Sequence, residues 1–310
     1  MKLIIHFSIL FAIGCSPRPG GHAGEGFLAV NGGKIWYKVI GNGDGTPILL
    51  LHGGPGSPSY YLNPLAELSE DRRVIMFDQL GCGRSDRISD TTLMSMDNYV
   101  NQVRELVLFL DLKEFYLYGH SWGTMLATDY YLKYPEGIVA LIMASPCLSA
   151  ELWMKDAETL ISTLPDSVRT VLQKNISGEV QDSVALRAAV DFFLKNFYAR
   201  RTPITQDLDS AHAQTGHNVY RFMWGDNEFF ATGTLKDYDR VESLSNIKVP
   251  TLYTVGEFDE TLPATVRHYQ SLTPVSRLKI ISGAGHMTMH DNPEEDVRAI
   301  SEFLRAVDTE

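Results

Sequence analysis

Gly119-His120-Ser121-Trp122-Gly123 follows the apolar run Phe115–Tyr118 and leads into a stretch with helical periodicity. Strand, sharp turn and helix around G-x-S-x-G make a nucleophile elbow, and this constrains the fold more than any other feature of the chain. The two glycines lack a Cβ, so the backbone can turn tightly and leave Ser121 at the tip. The start of the next helix points its unpaired amides and positive dipole end at any anion formed there.

An elbow serine needs a histidine and an acid, and in this fold the acid precedes the histidine along the chain. After the β-like run Thr251–Val255 comes Gly256-Glu257-Phe258-Asp259-Glu260, and after Leu278–Ile281 comes Gly283-Ala284-Gly285-His286. Both sit just past the carboxyl ends of expected strands, where open α/β sheets hold their sites. In this reading Ser121 attacks, His286 takes its proton and Asp259 orients the imidazole. His290 is a rival for His286, but the glycine-rich turn directly after a strand favours His286. Spacing alone does not separate Asp259 from Glu257 and Glu260.

Ile48–Leu51 reads as a short buried strand and runs into His52-Gly53-Gly54-Pro55-Gly56. A glycine-rich loop here brings backbone N–H groups to a developing oxyanion. One donor is assigned to the Gly54 amide and the other to the Trp122 amide; His52 is read as structural. These motifs, in this order, point to a serine hydrolase.

Three segments together resemble the proline iminopeptidase (prolyl aminopeptidase) family of the α/β-hydrolases, and within it the tricorn-interacting aminopeptidase subgroup. They are His52–Gly56, Asp78-Gln79-Leu80-Gly81-Cys82-Gly83-Arg84-Ser85 and Gly119–Gly123, supported by Met223–Phe229, Gly256–Glu260 and Gly285-His286. The likeness runs from about Phe27 to the C-terminus. It implies that Asp259 is the triad acid and that Glu260 and Glu228 bind the free amino group of the substrate. An ammonium leaving water needs compensating negative charge, which two carboxylates supply. Asp226 stands where the family usually has proline, so it either adds a third carboxylate near the amine or changes the stiffness of its loop.

The activity this implies is release of an N-terminal residue, preferentially proline, from short peptides or amino-acid derivatives with a free N-terminus. The alternative is an amino-acid amide, ester or lactone hydrolase on the same triad. A binding protein on an inactive scaffold is disfavoured by the complete triad. A formal charge of −11 with scattered acidic residues argues against a nucleic-acid partner. No zinc spacing such as C-x-x-C or H-E-x-x-H occurs, so neither metal nor cofactor is implied.

At 310 residues the chain can bury one sizeable core and a further lobe. Strand runs at Pro47–Leu51, Val74–Phe77, Phe115–Tyr118, Val139–Ala144, Thr251–Val255 and Leu278–Ile281 alternate with helical patterns at Met96–Leu110, Trp122–Tyr134 and Glu294–Ala306. Such alternation predicts an α/β-hydrolase fold: a mainly parallel sheet covered on both faces, opened by a hairpin around Asn31-Gly32-Gly33. The expected core is 27–147 and 240–310, with a helical cap at 148–239. Within the cap, Val184, Ala188 and Phe192 form one apolar stripe beside Phe193 and Phe197. The cap aromatics Phe192, Phe193, Phe197, Tyr198, Phe222 and Trp224 are assigned chiefly to its core.

Lys2, the apolar run Leu3–Ile13 and Gly14-Cys15 resemble a lipoprotein signal (1–14) whose cysteine becomes the lipidated first residue. The run is too short to span a bilayer. Ser16 fits outer-membrane sorting, and residues 15–26 read as a tether. The expectation is a bacterial cell-envelope protein held to the membrane only by this anchor. Cys82 and Cys147 are expected as free, buried thiols.

Overall fold

A computed structural model describes residues 23–179 and 183–309. The signal and lipidation expectations at 1–15 lie outside the described residues. The strands are β1 (Gly24–Val30), β2 (Gly33–Ile40), β3 (Gly45–Leu51), β4 (Arg72–Phe77), β5 (Phe115–His120), β6 (Ile138–Ala144), β7 (Thr251–Gly256) and β8 (Ser276–Ile281). They form one sheet in the order β1-β2-β4-β3-β5-β6-β7-β8. β1 and β2 pair antiparallel, β2 meets β4 antiparallel, and all later pairs are parallel. Residues 24–26, expected as tether, belong to β1 instead, because Gly24, Glu25 and Gly26 pair with Val39, Lys38 and Tyr37 of the longer neighbouring strand.

The helices are α1 (Met96–Phe109), α2 (Trp122–Lys133), α3 (Ala150–Ser162), α4 (Asp166–Ile176), α5 (Ser183–Phe197), α6 (Gln206–Ala213), α7 (His217–Met223), α8 (Pro263–Leu272), α9 (Thr288–Asp291) and α10 (Pro293–Asp308). Both faces of the sheet are covered, which explains why β3 reads as an unbroken apolar run. Leu49 and Leu51 join the core that includes Val103 of α1 and Leu126 of α2. Ile48 and Leu50 join Tyr61, Leu65 and the α10 residues Ile300 and Leu304 on the other face. Burying such a leucine contributes roughly 1.5–3 kcal/mol.

Helices α3 to α7 lie between β6 and β7, and the neck of this insertion closes where Ser149 bridges Asp239. Its small core holds Leu160, Ile161, Leu172, Phe193 and Phe229. The apolar stripe expected on α5 is turned: Ala189 and Phe193 face inward, while Val184 and Phe192 are exposed. Docking against α4 and Phe229 selects the face one residue on, a choice local periodicity cannot make. Among the described residues, no helix is long and apolar enough to cross a membrane.

Candidate active site

Ser121 sits between β5 and α2 at φ 55°, ψ −123°. A non-glycine residue held there costs about 1–3 kcal/mol and persists only where its surroundings dictate it. They do. A Cβ on Gly119 would lie 2.3 Å from the Gly123 carbonyl oxygen, and one on Gly123 would lie 2.2 Å from that of Leu51. The Ser121 amide donates to Ala144 O at 3.1 Å, while the Thr124 amide and hydroxyl close on Ser121 O at 2.8 and 2.6 Å.

Asp259 is the carboxylate that reaches the histidine: its Oδ1 lies 2.7 Å from His286 Nδ1. It is fully buried and also accepts from the amides of Thr261 and Gly256 and the hydroxyl of Ser145. Burial pushes its pKa up, but the His286 charge and these hydrogen bonds outweigh that and hold the carboxyl below its ordinary value. Glu257 is instead exposed and takes the Gly283 amide at 2.9 Å. Ser145 was not anticipated. At φ 45°, its hydroxyl lies 2.7 Å from Asp259 Oδ2 and 3.0 Å from His286 O. Its one legible trait was a serine directly after a strand at the sheet's carboxyl edge.

His120 joins the histidine loop to the glycine-rich loop. A carbonyl only accepts, so His120 Nε2 carries the proton it donates to His286 O at 3.0 Å. His120 Nδ1 then accepts from the Tyr61 hydroxyl at 3.0 Å, and that oxygen accepts the Gly53 amide at 2.6 Å. Burial lowers the His120 pKa to about 3, so the ring is neutral at physiological pH. The Gly53 amide is thus taken, and Gly54, at φ 110°, lines the cavity together with Ser121. Trp122 is the first residue of α2, and its amide has no carbonyl one turn back.

Gln79 ties the elbow helix to the glycine-rich loop. Its Oε1 accepts from Trp122 Nε1 at 2.9 Å, its side-chain amide donates to His52 O at 3.0 Å, and its backbone amide donates to His52 Nε2 at 2.9 Å. His52 is therefore structural, with burial lowering its pKa to about 4. Asp78 beside it is buried and receives Ser59 and Arg84, whose guanidinium stacks over Trp36 at 3.3 Å. His290 is structural too, between Thr205 and Tyr61 O, each at 2.7 Å.

Over this floor the cap closes. The His286 and Met287 amides donate to Phe197 O and Tyr198 O at 2.7 and 2.8 Å. Only glycine fits at 285, because a Cβ there would lie 2.5 Å from Phe197 O. The His286 ring packs edge-on to Trp153 and stacks with Tyr198. Tyr198 and Trp224, the latter beside Ser121 in a narrow recess, are thus part of the site rather than of the cap core, whereas Phe222 is exposed and Phe193 is buried in the cap core as expected.

Glu260 is buried, and Glu228 is half-buried. The Tyr220 hydroxyl donates to Glu228 Oε2 at 2.6 Å, and the indole N–H groups of Trp153 and Trp224 donate to Glu228 O at 3.0 and 3.2 Å. Among the described residues, neither carboxylate oxygen of Glu260 has a hydrogen-bond partner. Burial pushes both carboxyls above the usual range, and for Glu260 the charges of Glu228 and Asp259 add to it. Asp226 does not add a third carboxylate here; it pairs with Arg221 at 2.8 Å on the exposed surface.

A cavity of about 420 Å³ is lined by Ser121, His286, Gly54, Glu228, Tyr198 and Tyr220, with further residues of the cap. A narrow recess opens beside it, between Trp122, Met125, Cys147, Trp153 and Trp224, and shares Gly54, Ser121 and Glu228 with the cavity. Glu260 is not itself on the wall of either. Cys82 and Cys147 are free and buried. Among the described residues, no group of His, Cys, Asp or Glu is arranged to hold a metal ion.

Sheet order, elbow and cap are those of an α/β-hydrolase, and the profile of the alpha/beta hydrolase fold matches residues 46–293. Within that class the chain belongs to the proline iminopeptidase family. It is 40% identical over 285 residues to a proline iminopeptidase of Heyndrickxia coagulans, covering 91% of this chain and 99% of the relative. It is 34% identical to one from Saccharolobus solfataricus, covering 91% and 93%. The crystal structure of a Mycobacterium smegmatis proline iminopeptidase superposes with a TM-score of 0.87 at 28% identity, covering 92% of this chain and 99% of that one.

Proposed function

We propose that the protein is a serine aminopeptidase that releases the N-terminal residue, preferentially proline, from short peptides. The observation that carries this reading is Glu228 on the cavity wall with the elbow serine, backed by the buried carboxylate of Glu260, which feels its charge. Their pKa values are raised, and among the described residues Glu260 has no hydrogen-bond partner. Such a site is costly when empty and relaxes when a cation enters. The secondary ammonium of an N-terminal proline would meet Glu228 at the wall, with the charge of Glu260 behind it. Its compact apolar ring suits the cavity beside Ser121, whose wall includes Leu194, Tyr198 and Met287.

Ser121 Oγ attacks the carbonyl carbon of the first residue while its proton passes to His286 Nε2. Asp259 stabilises the imidazolium, and the Gly54 and Trp122 amides take the oxyanion. The imidazolium then protonates the departing amine, leaving an acyl-enzyme on Ser121. Water, deprotonated by His286, attacks the ester and frees the amino acid. Anchoring the amine at a set distance from Ser121 is itself catalytic, because it pre-aligns the first peptide bond.

Steady-state hydrolysis of proline arylamide and its N-acetyl counterpart tests this. The free amine is expected to be cleaved at least ~100-fold faster in kcat/KM, since acetylation removes the charge the carboxylates need. Equal or faster cleavage of the blocked substrate would make the protein an esterase or amidase that does not read an amine.

We also infer lipidation of Cys15 after loss of residues 1–14, which would anchor the enzyme in the bacterial cell envelope. The support is the charged start, short apolar run and Gly14-Cys15 junction. Full-length protein is then expected in the membrane fraction and Cys15→Ser outside it; wild type found only in the soluble fraction would overturn the anchor.

A further inference from the structure

Three cations follow one another from the last turn of α5 toward α6: Lys195, Arg200 and Arg201. Arg200 is used within the protein. Its guanidinium stacks over Phe258 at 3.9 Å and donates to Gly283 O and Asn196 O at 3.0 and 2.7 Å. Lys195 and Arg201 differ. Among the described residues neither side chain has a carboxylate within 4.0 Å, and both line the cavity that holds Ser121 and His286.

Their backbone is fixed relative to the reacting groups. Asp291 accepts the Arg201 amide at 2.8 Å and the Gly285 amide, next to His286, also at 2.8 Å. Lys195 lies between Phe193, buried against Phe229, and Tyr198, stacked on His286. Charge is sorted along the site. Glu228 borders the narrow recess as well as the cavity, while Lys195 and Arg201 border the cavity alone. Ser121 borders both. With the amine held by Glu228 and the first peptide bond at Ser121, the leaving group extends into the cavity whose wall also carries Lys195 and Arg201. Asp191 is the one carboxylate on that wall besides Glu228, so the two cations and two carboxylates there balance in formal charge.

We propose that Lys195 and Arg201 receive the C-terminal carboxylate of the substrate, so that the preferred substrates are short peptides with both ends free. This rests on the aminopeptidase reading. A cavity of this volume suits a short peptide rather than a folded chain, and a carboxylate is the group that two unpaired cations recognise by charge-assisted hydrogen bonds. The pair sorts substrates by their far end, as the acidic pair sorts them by their near end.

The test compares Pro-Ala and Pro-Ala-Ala with their C-terminal amides, in wild type and in the Lys195→Gln/Arg201→Gln double variant. In wild type the free acids are expected to be favoured about tenfold, through KM with kcat little changed, and the advantage should shrink with added salt. In the double variant the amides keep their wild-type constants and the acids fall to the same level. Equal KM for acid and amide in wild type would overturn this proposal alone, as would a double variant that slows both alike. Failure of wild type to cleave any of these peptides would overturn the aminopeptidase reading and this proposal with it.

Discussion

Alanine at position 121 is expected to leave a folded protein whose kcat for proline arylamide is lower by about a millionfold. Ser121 is bound to its surroundings through the backbone: its amide meets Ala144 O, and its carbonyl meets Thr124. The strain at φ 55° belongs to the main chain, and alanine tolerates it no worse than serine does. Stability should therefore stay within about 0.5 kcal/mol of wild type. What is lost is the atom that forms the acyl-enzyme, and no neighbouring group replaces it, since Cys147 is buried with its thiol pKa pushed well up. Thermal melts and single-turnover kinetics with a fluorophosphonate label check both halves. A variant that folds, takes no label and still turns over at more than trace rates would remove Ser121 from the reaction.

The second large effect concerns the acidic pair. Glu260→Gln and Glu228→Gln are each expected to raise KM for proline arylamide about a hundredfold, with a smaller change in kcat. The pH dependence follows from the direction of the shifts. Burial raises both carboxyls above their ordinary range, and Glu260 feels Glu228 and Asp259 in addition. The empty site therefore keeps a proton at a pH where an exposed glutamate has lost it. As pH falls through the raised value the pair becomes neutral and ammonium binding is lost. The acid limb of kcat/KM for free-amine substrates should thus lie above the ordinary glutamate range, and Glu260→Gln should move it.

The same shift has a consequence for stability, opposite in sign to that of a salt-bridged carboxylate. A raised carboxyl binds more protons folded than unfolded, so its favourable contribution is present at low pH and lost as pH rises through the folded value. Glu260→Gln is then expected to raise the Tm of the empty enzyme at pH 8 by about 2–4 °C, per kcal/mol recovered, while it cripples binding. A Tm that falls on this substitution would mean that Glu260 has a stabilising partner in the empty protein.

Backbone-level features were the most legible. The elbow declared itself because Gly119 and Gly123 leave no space for a Cβ between packed main-chain atoms, and such a demand is written at single positions. The strands that end at the site also read correctly, since burial on both faces gives unbroken apolar runs. The boundaries slipped by a few residues: β1 begins at Gly24 because ladder pairing with β2 continues past the apolar stretch. Helix α8 was not anticipated, as Pro263–Leu272 offers only a modest apolar stripe.

By itself, then, the sequence determined the order of strand, glycine turn and helix, and with it the candidate roles of Ser121, His286 and the Gly54 and Trp122 amides. These are consequences of local sterics and short-range periodicity. Tertiary structure decided which of three neighbouring carboxylates faces the histidine. It also brought Ser145, 114 residues from Asp259 in sequence, onto that acid, and His120 onto the carbonyl of His286, 166 residues away. Those contacts depend on strand β6 lying next to β7 and on the cap docking over the sheet. Neither depends on any pattern within a single element. The placement of Tyr198, Tyr220, Lys195 and Arg201 on the cavity wall follows from the same long-range packing.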